Sequence, residues 1–148
     1  MISACVVVAA MLLATPARAD LASVKAETKL DKRAQKALDN ADQAFKAAQK
    51  AYLDGNLKES EAAFQEVGES VVLADESLRG TGKNPSRSPR HFKNAEIRTR
   101  ELIRKLTDFG QRMNFEDRAQ VEKVRATIEK IHDELLLGIM GGKKEKKN

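Results

Sequence analysis

Apolar residues in this chain recur at alternating spacings of three and four through four long segments, with no slip of phase inside any of them. Only an α-helix, at 3.6 residues per turn, keeps such a pattern on one face. The first segment carries Ala34, Ala37, Ala41, Ala44, Ala48 and Ala51, flanked at seven-residue intervals by Leu38, Phe45 and Tyr52. The second carries Leu57, Ser60, Phe64, Val67, Val71, Ala74 and Leu78, and the third Phe92, Ala95, Thr99, Leu102, Leu106, Phe109 and Met113. The fourth carries Val121, Val124, Ile128, Ile131 and Leu135. The pattern predicts an all-α fold, an antiparallel helical bundle of two helical hairpins, with helices over 22–53, 57–78, 89–113 and 116–138. With 3 Pro and 8 Gly, the chain is too poor in turn residues for a β-sandwich.

Boundary residues agree with that division. Asp54-Gly55-Asn56 breaks the first pair, and Asn56 with Glu59 three residues on has the form of a capping box. Ser88-Pro89 offers a cap followed by a proline at the first helical position. Asn114 is placed to cap the fourth helix, with Gly138, Gly141 and Gly142 to end it. Short breaks make each pair an antiparallel hairpin. Residues 79–88 then read as a mobile linker, and 20–142 as one domain.

The first nineteen residues differ from all that follows. Ala4 to Ala14 is an unbroken apolar run, and Ala17-Arg18-Ala19 after Pro16 has the small-x-small form of a signal-peptidase site. The run is shorter than the ~20 residues a membrane span needs. Residues 1–19 therefore read as a cleavable signal peptide, with Asp20 as the mature N-terminus and a periplasmic or secreted destination. The only cysteine, Cys5, lies in the removed segment, which excludes disulfides, Cys-ligated metal and thiol catalysis from the mature chain.

Charge is unevenly placed. Residues 54–78 sum to −6, residues 79–105 to +7, and the Lys-rich tail 143–148 to +3. One reading docks the second helix against the third. The other leaves a basic surface around Arg79, Lys83, Arg87, Arg90, Lys93, Arg98, Arg100, Arg104 and Lys105 for an anionic partner.

Motifs for catalysis fail on inspection. Gly80-Thr81-Gly82-Lys83-Asn84 lacks the spacing, the hydroxyl residue and the preceding strand of a phosphate loop. Glu129 and His132 match the Glu-x-x-His of di-metal bundles, but no second copy exists, because Ser88 stands three residues before His91. His132 and Glu129 flank the core positions Ile128 and Ile131 and are expected to face water. The acidic residues all fall outside the stripes, and Ser60 and Thr99, inside them, are expected to bond back to their own helices.

Ala48, Ala51, Tyr52, Leu53, Gly55, Asn56 and Leu57, followed by Ala63-Phe64, resemble a tetratricopeptide-repeat hairpin over residues 41–67. The chain departs from the repeat at Ser60 and Val67, and no second copy follows. In export, helical content and basic charge it is similar to small periplasmic chaperones with an LTxxQ motif. Its Leu106-Thr107-Asp108-Phe109-Gly110-Gln111 holds one residue too many for that motif.

The expectation is a non-enzymatic, exported bundle with a protein-interaction or structural role, its partner another protein or itself. The alternative is a module binding a polyanion or anionic lipid through 79–105 and the Lys tail, with Arg79, Lys83, Arg87, Arg90, Lys93 and Arg98 as its contacts. No cofactor, metal or small-molecule substrate is expected, and export disfavours nucleic acid as the natural partner.

Overall fold

The computed structural model describes residues 20–141, so the predicted signal peptide and the Lys-rich tail lie outside the described residues. Within them the order is α1 (Leu21–Lys25), α2 (Leu30–Leu53), α3 (Leu57–Gly80), α4 (Arg90–Arg112), a 3-10 turn (Phe115–Asp117) and α5 (Ala119–Met140). Among the described residues the chain is all-helical, and the helices pack as a bundle built from the hairpins α2–α3 and α4–α5.

The predicted first helix is interrupted. Residues 26–29 leave the helix, and α1 turns aside to pack on α2 and α3 with Leu21 and Val24 buried. Glu27 supports the new start by accepting from Lys29 N at 3.2 Å and from Lys36 Nζ at 2.7 Å.

Between α2 and α3 the alanine stripe lies against the partner helix, with Ala37, Ala41 and Ala48 wholly buried. Methyl side chains let the axes approach, and polar groups bridge the close seam. Arg33 Nε donates to Ser77 Oγ at 2.9 Å, Asn40 Nδ2 to Ser70 Oγ at 2.9 Å, and Ser60 Oγ to Ala48 O at 3.0 Å. The last bond corrects the expectation for Ser60, whose hydroxyl crosses to the neighbouring helix. Thr99 does bond to its own helix, at Glu96 O.

The α2–α3 turn works through backbone geometry. Gly55 takes φ +80, Asn56 N bonds to Ala51 O at 2.8 Å and Gly55 N to Tyr52 O at 3.0 Å, the double closure of a glycine C-cap. Asn56 makes no side-chain cap; Pro89, and not Ser88, takes the cap position of α4, and Arg118, and not Asn114, that of α5, neither with a side-chain cap bond. Gly138 does not end α5 but lies inside it, where a Cβ would come within 3.3 Å of Pro85 Cγ. A side chain here would crowd the linker, which must shift by a few tenths of an ångström to admit one.

The hairpins stack like to like. Gly68 lies beside Val124 and Arg79 beside Glu134, so α3 and α5 run in the same direction along their contact. The alternative docking, with the −6 segment facing the +7 segment, is not what forms: α3 meets α5 far more than α4. Phe45, Phe64 and Phe109 join the hairpins, their ring centroids 5.9–6.2 Å apart, with Tyr52 on Phe109 at 5.7 Å. The apolar stripes occupy the core as their spacing predicts, except that Leu57 is 45% exposed.

Candidate functional site

The basic stretch divides into cations that the fold has engaged and cations that it has not. Arg79, at the end of α3, donates to Asp75 at 2.7 Å and to Glu134 at 2.6 Å. Those carboxylates, Asp75 first, raise its pKa further. Lys83 Nζ donates to Asp31 at 2.6 Å, which holds the Asp31 carboxyl below its ordinary range. Arg98 grips Asp39 and, at 2.6 Å, Asp42 on α2. Lys105 reaches Asp42 at 2.9 Å, and Arg100 lies 3.6 Å from Glu96. Burial works to raise the Asp42 pKa, but the hydrogen bonds from Lys105 and Arg98 outweigh it and the carboxyl sits below its usual range.

Arg87, Arg90, Lys93 and Arg104 are different. Among the described residues none of them has a carboxylate within ion-pair distance. The turn at Asn84, whose Oδ1 accepts from Ser86 N at 3.0 Å, leads to Arg87. Arg90 and Lys93 project from the first turn of α4, and all three side chains are exposed. Lys83, Ser88, Pro89, Arg90, His91 and Lys93 line an open depression of 380 Å³. Of the six predicted contacts, the structure gathers Lys83, Arg87, Arg90 and Lys93 at one end of the bundle. It places Arg98 well along α4 and commits Arg79 and Arg98 to carboxylates.

The linker has more anchorage than its composition suggested. Pro85 rests against Gly138, Lys83 is held by Asp31, and Ser88 N bonds to Asn84 O at 2.8 Å.

One cluster was not foreseen. His132, expected at the surface, is only 15% exposed and sits between Thr99 Oγ1 at 3.3 Å and Glu96 Oε1 at 3.8 Å. Both approach the same nitrogen, Nδ1, so the three do not form a hydroxyl–imidazole–carboxylate relay, in which the two partners take opposite nitrogens. Thr99 is 1% exposed, which closes its hydroxyl to a substrate. A pairing of α4 with α5 in which residue 99 faces residue 132 was the one signal that could have found it.

Among the described residues no group of three or more His, Cys, Asp or Glu could hold a metal ion, and no helix is long and apolar enough to cross a membrane. Fold and surface together define a helical-hairpin bundle with a cationic end. Compared with protein-family models, with curated proteins and with solved structures, the chain matches none.

Proposed function

We propose that this is an exported, non-enzymatic helical-bundle protein that binds another protein in the periplasm or cell envelope. The supporting observation is the end of the bundle opposite the linker. There Leu53, the last residue of α2, is 78% exposed and Phe115, in the 3-10 turn, 84%, the two elements meeting where Tyr52 donates to Asp117 at 3.0 Å. A large apolar side chain left in water forgoes about 1.5–3 kcal/mol of burial, so two of them at one tip favour a partner that covers them. A photo-crosslinking amino acid at position 115 should give a discrete adduct in the envelope of the native cell. The same group at Lys123, away from the tip, should give none, and equal labelling from both positions would defeat the reading.

Export follows from the apolar run and Ala17-Arg18-Ala19. Mass spectrometry of the native protein should find Asp20 as the first residue. An intact Met1 on a cytosolic species would remove the localisation.

A second reading, a module for a polyanion or anionic lipid, is favoured by Arg90 and Lys93 on one depression, with exposed Arg87 just before them in the linker and none of the three paired with a carboxylate among the described residues. Such binding should weaken steeply between about 50 and 200 mM salt through counterion release, whereas the apolar contact should change little.

A further inference from the structure

We infer that the linker end of the bundle docks end-on to an anionic phospholipid surface, with the last turn of α5 entering the headgroup layer. The inference rests on the anion-binding reading and adds to it an apolar contact that a soluble polyanion could not use.

Three observations converge on this end. Leu136, Leu137 and Met140 are 39%, 70% and 57% exposed. At 100° per residue they fall within one arc of about 100° on the helix surface. The linker lies at the same end, against the next face of α5, since Pro85 rests on Gly138 and Arg79 pairs with Glu134. It carries Arg87 and leads to Arg90 and Lys93, three exposed cations with no carboxylate partner among the described residues. The sequence after α5 is Gly141-Gly142 followed by four lysines and one glutamate before Asn148, a net charge of +3 in residues that lie outside the described ones. Lys29 and Lys32 stand exposed at this end as well, because Leu30 packs on Gly80.

Apolar side chains beside a basic cluster fit an anionic bilayer, which attracts the cations over a Debye length and then buries the apolar groups. The acidic groups set the depth. Asp31 and Glu134 are neutralised by Lys83 and Arg79, but Asp133 is exposed on the same arc, one turn above Leu137. A free carboxylate there halts entry after the last turn, which gives a peripheral and reversible contact.

The test uses the processed protein recovered after export, sedimented with vesicles of phosphatidylcholine alone or mixed with phosphatidylglycerol, and in parallel run on heparin. Wild type should bind the anionic vesicles at low salt and leave the neutral ones. Arg87→Gln with Arg90→Gln and Lys93→Gln should cut vesicle binding about 100-fold and heparin retention with it. Leu137→Ser with Met140→Ser should cut vesicle binding about tenfold and leave heparin retention unchanged. Vesicle binding unaffected by the serine pair, or heparin retention with no vesicle binding, overturns the membrane inference and leaves the polyanion reading standing. Binding to neither overturns both.

The chain has no tryptophan, so Leu137→Trp gives a single reporter even if the serine pair disturbs the helix. Its emission should shift to the blue on anionic vesicles only. No shift overturns the inference.

Discussion

Arg98 of α4 donates to Asp42 of α2 at 2.6 Å, so the most basic helix is tied to the first hairpin through its less acidic member. The same carboxylate takes Lys105, and Asp39 takes the other arm of Arg98. The acidic α3 is left to present most of its carboxylates to water.

This cluster gives a prediction for pH. The Asp42 carboxyl lies below its ordinary range when folded, so its contribution is complete above that range and is lost as the pH falls through it. The urea midpoint should hold from about pH 7 to about pH 5 and decline below about pH 4. Asp42→Asn should cost about 1 kcal/mol at neutral pH and flatten the decline. An unchanged slope in the variant would remove Asp42 from the account.

Core placement predicts a sharp contrast. Phe64 is 1% and Ile128 0% exposed, so Phe64→Asp or Ile128→Asp buries an unpaired charge and should abolish the cooperative transition in circular dichroism. Lys123 is exposed, and Lys123→Ala should stay within about 0.5 kcal/mol of wild type. Similar midpoints for the three would contradict the core as described.

Asn40 predicts an order of effects. It is 4% exposed and donates to Ser70 Oγ and to Glu66 Oε1, both at 2.9 Å. Asn40→Ala should cost about 1–3 kcal/mol for the lost bonds. Asn40→Asp should cost more, because it sets a second carboxylate against Glu66, and acid should relieve part of the excess. The reverse order in chemical denaturation would show that Asn40 does not donate to Glu66.

The linker can be read with trypsin. Arg87 is exposed and has no carboxylate partner among the described residues, so the first cut within the linker should follow it, whereas Lys83 is held by Asp31. Asp31→Asn should raise cleavage after Lys83 several-fold with little change at Arg87. Equal early cleavage at both sites in wild type would mean that the Lys83–Asp31 pair is not formed in solution.

The stripes were legible because each core position repeats within its own helix. Ala37, Val67, Leu106 and Ile128 are each wholly buried where spacing alone put them. The break at 26–29 was not, since it contains neither Gly nor Pro and Leu30 continues the apolar phase. Before it, α1 packs on α2 and α3 with Leu21 and Val24 buried, a placement that no local pattern announces. Charge sums misled for a related reason. Net charge per segment suggested α3 against α4, but ion pairs form between individual side chains, and Arg98 faces Asp39 and Asp42. At the candidate site the residue types were visible. Which cations remain free depends on where the partner helix puts its carboxylates, and that is a property of the fold.

The seam between α2 and α3 has a consequence in time. It is the most extensive contact in the molecule, and it joins segments adjacent in sequence. The chain emerges N-terminus first, from the ribosome or, on the export proposed above, on the far side of the membrane, so the first hairpin is free to pair before the second has emerged, and its local pairings can close early. Phe45 and Phe64 must then wait for Phe109. During that interval the nascent chain carries an uncovered aromatic face, and the delay before the second hairpin arrives sets how long it stays vulnerable to aggregation.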